Sequence, residues 1–94
     1  MPATYKGFSN SAQFIWSGSI TVPDETGATI KTSLSVPGAV PGMFFIAVSP
    51  DLFDLADPIA IIGAKCTTKG TVDFLLSRPF GTGVITAPIF LMGL

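Results

Sequence analysis

The chain of 94 residues contains no histidine. Histidine is the usual general base near neutral pH and the commonest metal ligand in proteins. Its absence excludes a Ser–His–Asp or Cys–His catalytic arrangement built from this chain alone. The glycine-rich patterns that bind nucleotide phosphates, G-x-G-x-x-G and G-x-x-x-x-G-K-[ST], are also missing. We therefore expect a protein that is not an enzyme and that holds no cofactor.

Carboxylates and the single cysteine are two weaker candidates for chemistry. Asp51, Asp54 and Asp57 place three carboxylates on one segment, and loops rich in oxygen ligands bind Ca²⁺. Their spacing does not match the EF-hand loop, so a solvated acidic loop is the favoured interpretation and no metal site is predicted. Cys66 lies near two lysines in sequence, and cations lower a thiol pKa. Without a second cysteine or a neighbouring base, we expect a small buried side chain.

Charged residues are scarce, at 12% of the chain against 48% hydrophobic residues. With five cations and a net charge of −1, the sequence has no basic stripe for a phosphate backbone, and no nucleic-acid partner is predicted. A chain of this length forms one domain with a large surface relative to its core. That domain cannot bury so much apolar surface by itself, so the composition predicts a homo-oligomer.

The longest uncharged segment, residues 32–50, is about as long as a transmembrane helix. Its prolines, glycines and hydroxyl residues disfavour a helical span, so no membrane partner is predicted. The first residues lack the basic region, apolar core and small-residue cleavage site of a secretory signal. We therefore expect a protein that resides in a compartment resembling the cytosol.

Alternation of apolar and polar residues predicts β-strands, and no segment has a sustained helical period. Strands are predicted over residues 12–17 with Ile20 and Val22, 29–36, 43–48, 59–65, 71–77, 84–87 and 89–94. Turn residues separate them at Pro23–Gly27 and Thr67–Gly70. The fold class is therefore all-β, a small antiparallel β-sandwich or β-barrel (jelly-roll or β-tulip-like), in a single domain over residues 12–94.

Particular segments support sharper predictions. The unbroken apolar run Met43–Val48 favours a strand covered on both faces. Pro88 restricts the last strand to a sheet edge or a bulge. Residues 49–58 form a loop with one helical turn, capped by Ser49 or Asp51 and stopped by Pro58. The segment 59–77 forms a β-hairpin.

The first eleven residues are predicted to stand apart from the domain. They are either a frayed terminus or an arm whose aromatic residues, Tyr5 and Phe8, dock on a neighbouring molecule. The composition alone does not choose between these two interpretations.

The corner before the third strand carries a resemblance. Residues 36–49 follow the pattern Val-x-Gly-Ala-x-x-Gly-x-x-x-x-Ala-Val-Ser, and residues 70–76 are Gly-Thr-Val-Asp-Phe-Leu-Leu. Together with the apolar last strand, these motifs resemble small β domains of structural proteins from tailed-bacteriophage virions, over residues 29–94. The family that fits best is the capsid decoration, or cement, proteins.

The resemblance implies a non-enzymatic protein of the virion, made in the host cytoplasm. Such proteins are commonly homotrimers that bridge subunits of the major capsid protein, often through an extended N-terminal arm. Residues 1–11 would be that arm. The candidate partner-binding residues are Tyr5, Phe8, Trp16, Phe90, Leu91 and Met92. The alternatives are a phage tail, fibre or head-fibre component, and a small β-barrel module that binds an apolar or carbohydrate ligand.

Overall fold

The structure, a computed structural model, describes residues 14–94. Its elements are β1 (Phe14–Val22), β2 (Gly27–Ser35), β3 (Phe45–Val48), α1 (Pro50–Phe53), β4 (Ala60–Thr68), β5 (Thr71–Arg78) and β6 (Ile85–Gly93). The strands form two antiparallel sheets, sheet A in the order β1-β6-β3 and sheet B in the order β2-β5-β4. The predicted small antiparallel all-β fold is confirmed. The predicted N-terminal arm lies outside the described residues.

The two sheets pack face to face around one core and are joined along one edge. There Phe44, just before β3, pairs with Lys65 of β4. The buried side chains come from both sheets, and they are Ile20, Val22, Ile30, Val36, Ala39, Phe45, Leu52, Ile59, Ala64, Cys66, Val72, Phe74, Leu76, Ala87, Ile89 and Leu91. The described chain is therefore a β-sandwich closed on one side, which decides between the two predicted architectures.

The predicted hairpin is formed by β4 and β5, which pair along their whole length. Thr68 pairs with Thr71 across a two-residue turn in which Gly70 has φ 78°. A residue with a side chain rarely adopts that angle, so glycine is required there. Gly70 also donates to the carbonyl of Ala39 at 2.8 Å, which ties the Pro/Gly corner after β2 to the hairpin.

The prediction that the third strand is covered on both faces is wrong. Phe45 is buried, but Ile46 and Val48 are about half exposed, at 49% and 52%. An apolar run without a polar break predicts burial of both faces only when another layer lies on each side. β3 is the edge strand of a two-layer sandwich, and within residues 14–94 nothing covers its outer face.

The prediction that Pro88 restricts the last strand to a sheet edge or a bulge is also wrong, because β6 is the central strand of sheet A and its register with β1 is regular through Pro88. β3 pairs with β6 only over residues 90–93. Pro88 therefore has β1 on one side, opposite Ser19, and no strand on the other. Its carbonyl accepts the Ser49 hydroxyl at 2.6 Å. Proline is tolerated because the third strand ends before it reaches this position.

The short helix α1 confirms the predicted helical turn after β3. It begins after Ser49, whose hydroxyl bonds Pro88 instead of capping the helix. It ends at Phe53, five residues before Pro58, the residue that was predicted to stop it. No helix within residues 14–94 combines the length and the hydropathy that crossing a membrane requires.

Close contacts fix the inner face of sheet A. The rings of Phe14 and Phe45 meet edge to face, with centroids 5.9 Å apart. A Cβ atom on Gly18 would clash with the Trp16 ring, so the indole covers that glycine. A Cβ atom on Gly93 would lie 2.9 Å from the Cβ of Phe14. The aromatic residues of this sheet therefore pack over backbone that carries no side chain.

Candidate interaction surface

The outer face of sheet A presents large apolar side chains to solvent. The antiparallel register places Ile15, Met92 and Ile46 in one row across the three strands. The next row contains Ser17, Phe90 and Val48. Leu94 follows β6 at the same end and donates its N–H to the carbonyl of Phe44 at 2.8 Å. We call Ile15, Ile46, Val48, Phe90, Met92 and Leu94 the apolar face.

Strand alternation explains how the apolar face arises. In β6, Ile89 and Leu91 point into the core and are buried, so Phe90 and Met92 must point outward. An antiparallel sheet with one wet face normally alternates apolar with polar residues. At this end of sheet A, the inward residues and most of the outward residues are apolar. Ile15 is 75% exposed and Phe90 is 52% exposed, so the apolar face is accessible in the described chain.

Sheet A also lacks charge. None of the residues of β1, β3 and β6 is Asp, Glu, Lys or Arg. The outward residues of the other half of this sheet are neutral: Ser19 pairs with Pro88, and Thr21 pairs with Thr86. A contiguous exposed apolar patch with a neutral polar border is typical of a protein–protein contact.

The structure separates the residues that the sequence proposed for partner binding. Phe90 and Met92 lie on the apolar face. Leu91 is buried in the core, and Trp16 is half-buried against it. Tyr5 and Phe8 lie outside the described residues. Ile15, Ile46 and Val48 were not predicted; alternation places them on the outer side of their strands, and pairing with β6 brings them beside Phe90 and Met92.

Arg78 is a further residue that was not predicted from the sequence. It continues the inward series of Val72, Phe74 and Leu76 at the end of β5, and it is 1% exposed. Its guanidinium donates to the carbonyls of Pro23, Thr82 and Gly83 at 2.7–2.9 Å. Its Nε has no hydrogen-bond partner among the described residues. Arg78 therefore joins the β1–β2 loop to the β5–β6 loop through backbone carbonyls.

A hydrogen bond to a carboxylate also links the two loops near Arg78. A carboxylate oxygen of Asp24, in the β1–β2 loop, accepts the N–H of Gly83 at 2.7 Å. The two loops are thus linked by hydrogen bonds that do not depend on secondary structure. This arrangement holds one end of the sandwich together.

The acidic segment does not assemble into a metal site. Asp51, Asp54 and Asp57 are exposed on and after α1. Within residues 14–94, no three His, Cys, Asp or Glu side chains form a group that could hold a metal ion. Cys66 is buried, and its thiol donates to the carbonyl of Thr68 at 3.1 Å.

Comparison of the chain with protein-family models, with curated proteins and with solved structures finds no significant match.

Proposed function

We propose that the chain is a non-enzymatic structural protein that assembles with copies of itself through the apolar face of sheet A. We further propose that this assembly is a homotrimer that decorates a bacteriophage capsid. The observation that carries the self-association is the combination on one sheet of half-exposed large apolar side chains and no charged residue.

The chemistry of the face favours another copy of itself as its partner. Covering an apolar surface stabilises a complex in proportion to the area removed from water. Covering a charged surface with an apolar one costs free energy, because the charge loses its hydration. The outer face of sheet B carries Lys31, Lys65 and Asp73, so stacking sheet A on sheet B would bury charge. Contacts between sheet A faces avoid that cost.

A three-fold arrangement satisfies this preference. Three apolar faces that converge on one axis each lie against the other two, and the charged sheet B faces remain in water. Closed cyclic symmetry also limits growth to a defined particle. The resemblance of residues 36–49 and 70–76 to capsid decoration proteins supports the same subunit number.

The stabilising effect on a capsid would follow from mass action. A protein that binds only the assembled shell stabilises it by RT ln(1 + [L]/Kd). A trimer that contacts several capsid subunits at once binds more tightly than one subunit does, because the later contacts are intramolecular. This role needs no catalytic group, in agreement with the lack of histidine in the chain.

The self-association is tested by light scattering coupled to size-exclusion chromatography. The full chain has a mass of 9.8 kDa, and we expect a particle of three chains at micromolar concentration. The variants Phe90→Glu and Ile46→Glu place a charge on the apolar face without disturbing the core, so we expect them to elute as folded monomers. Phe80→Glu is the matched control, because Phe80 is 70% exposed on the β5–β6 loop, and it should remain a trimer.

Three results would count against parts of the proposal. A monomeric wild-type protein would remove the self-association. Variants at Phe90 and Ile46 that associate like the wild type would show that another surface is used. A dimer that these variants dissociate would retain the apolar face and exclude the three-fold arrangement.

The capsid role is tested separately, first by the genes adjacent to the one that encodes this chain. A neighbouring major capsid protein is expected. Shells assembled from that protein should then bind the full chain in a sedimentation assay, and cryo-electron microscopy should show it on their outer surface. Binding to tails or fibres instead would support the alternative virion role, and an unrelated gene neighbourhood would contradict both.

A further inference from the structure

The outer face of sheet B contains a half-open hollow of about 650 Å³. Its floor is formed by Leu75 of β5 and Gly63 of β4, which pair directly. A Cβ atom on Gly63 would meet nothing within 4 Å, so the missing side chain leaves open space above the sheet. The hollow lies on the opposite sheet from the apolar face, and it stays open in the assembly proposed above.

Asp73 provides a fixed carboxylate at the side of this hollow. One oxygen accepts the Ser33 hydroxyl of β2 at 2.7 Å, and the other accepts the Thr67 hydroxyl of β4 at 2.7 Å. Hydrogen bonds from Thr67 and from Ser33, with the charge of Lys65, hold the pKa of Asp73 below its ordinary value. An ionised carboxylate has about four acceptor directions, so each oxygen can accept one more hydrogen bond from a ligand.

The strand that supplies Thr67 is irregular on both sides of the hollow. The register of β4 against β5 shifts between Ile61 and Gly63 and again between Cys66 and Thr68. Each shift inserts an extra residue, and Thr67 is one of them. Bulges of this kind redirect side chains and are common beside binding sites. Here the second bulge lets the Thr67 hydroxyl reach Asp73.

Two lysines and a phenylalanine complete the lining. Lys31 pairs with Leu75, Lys65 pairs with Asp73, and Phe44 pairs with Lys65 from the neighbouring sheet. Phe44 is 62% exposed and offers an aromatic ring at the rim. The charged groups of the hollow sum to one positive charge, which favours a ligand with one negative charge. Sites with an apolar floor and a few directed polar groups are typical of small-ligand binding.

We propose that this hollow binds an acidic saccharide, that is, a hydroxyl-rich ring that carries one carboxylate. Adjacent ring hydroxyls donate to the two oxygens of Asp73. The apolar C–H face of the sugar stacks on Phe44, and the carboxylate of the ligand interacts with Lys31 and Lys65. This proposal rests on the outer face of sheet B and on Phe44 just before β3, and it does not depend on the function proposed for sheet A.

The test uses two soluble probes of equal length with the full chain. A hyaluronan tetrasaccharide supplies glucuronate carboxylates, and chitotetraose supplies a neutral chain. Binding is measured by chemical shifts of backbone amides during titration. We expect saturable shifts at β4 and β5 for both probes, with affinity about fivefold higher for the acidic one, as expected for an exposed ion pair.

Four variants separate the contributions. Asp73→Asn should lower the affinity for both probes. The double variant Lys31→Gln with Lys65→Gln should lower the affinity for the acidic probe to that for the neutral one. Gly63→Val should abolish binding of both because its side chain fills the hollow, although Asp73 and the lysines are retained. Lys69→Gln is the control for charge outside the lining, and it should bind both probes like the wild type.

Several results would overturn the proposal. No saturable shift at β4 and β5 with either probe at millimolar concentration would exclude a saccharide site. Equal affinities for the two probes would remove the acidic preference. Unchanged binding in Asp73→Asn would show that this carboxylate only fastens the three strands of sheet B. A melting temperature measured for each variant shows whether weakened binding comes from loss of folding.

Discussion

The two sheets of the sandwich have similar inner faces and different outer faces. Both turn alternate apolar residues into one core, as Ile89 does in sheet A and Phe74 in sheet B. On the outside, sheet B carries Lys31, Lys65 and Asp73, and sheet A carries no charge. The inward half of the pattern forms the shared core. The outward half determines which sheet remains in water and which is available for association.

The same contrast applies to the glycines of the two sheets. Gly93 in sheet A is enclosed by Met43, Phe14 and Phe45, whereas Gly63 in sheet B has open space above it. In the first sheet the missing side chain allows close packing, and in the second it creates the hollow. Three experiments test this difference between the two sheets.

The largest expected effect comes from Arg78→Met. Arg78 extends from sheet B and bonds the loops that flank the strands of sheet A. Methionine fills similar space but leaves three carbonyls without their donors, and we expect a loss of about 3 kcal/mol in the free energy of unfolding. Urea denaturation measures this free energy of unfolding. Lys31→Met, an exposed change of the same type, should cost little, and equal losses for the two variants would contradict the structural role of Arg78.

The second effect compares the two glycines. Gly93→Ala places a methyl group against Phe14 and Met43, and we expect a loss of about 2 kcal/mol from overpacking. Gly63→Ala meets open space and should change stability by less than about 0.5 kcal/mol. Thermal unfolding of the two variants is the measurement. Equal stabilities would show that the inner face of sheet A tolerates more volume than its contacts indicate.

The smallest effect concerns acid stability and Asp73. Its pKa is lower in the folded protein than in the unfolded chain, mainly through the hydroxyls of Thr67 and Ser33, and Lys65 contributes by its charge. The unfolded chain therefore binds more protons in acid, so this stabilisation is complete above the ordinary aspartate pKa and is lost as the pH falls below it. In the Asp73→Asn variant this side chain does not titrate, so its contribution to the pH dependence of stability is removed.

The measurement is urea denaturation of the wild type and Asp73→Asn from about pH 5 to about pH 3, a range that includes the ordinary aspartate pKa. We expect the wild type to lose more stability than the variant over this range. Parallel losses would mean that the two hydroxyl contacts do not favour the charged form of Asp73.

Much of the fold was predictable from local signals. The hairpin of β4 and β5 follows from alternation on both sides of a turn that ends in Gly70. The errors at β3 and Pro88 share one cause, because both concern which strands become neighbours. A short apolar run and a proline each limit what can lie beside them, but they do not specify where the adjacent strand ends. Here β3 stops at Val48, and Pro88 is accommodated as a result.

The residues of the apolar face were predictable in part. Scarcity of charge indicated a covered surface, and the tail residues Phe90 and Met92 lie on the apolar face. The identity of the remaining residues depended on the pairing of β1 and β3 with β6, which brings Ile15 and Ile46 together across the sheet. The burial of Arg78 could have been predicted, because this residue continues the inward alternation of Phe74 and Leu76. The hydrogen bonds of Asp73 were not predictable, because their donors, Ser33 of β2 and Thr67 of β4, come from two other strands.

The placement of Trp16 over Gly18 gives the protein an internal optical reporter. It is the single tryptophan of the chain, and it is half-buried on the strand that also carries Ile15. Its fluorescence emission therefore monitors sheet A without a label. A wavelength shift in denaturant would follow exposure of the indole as the strand unfolds.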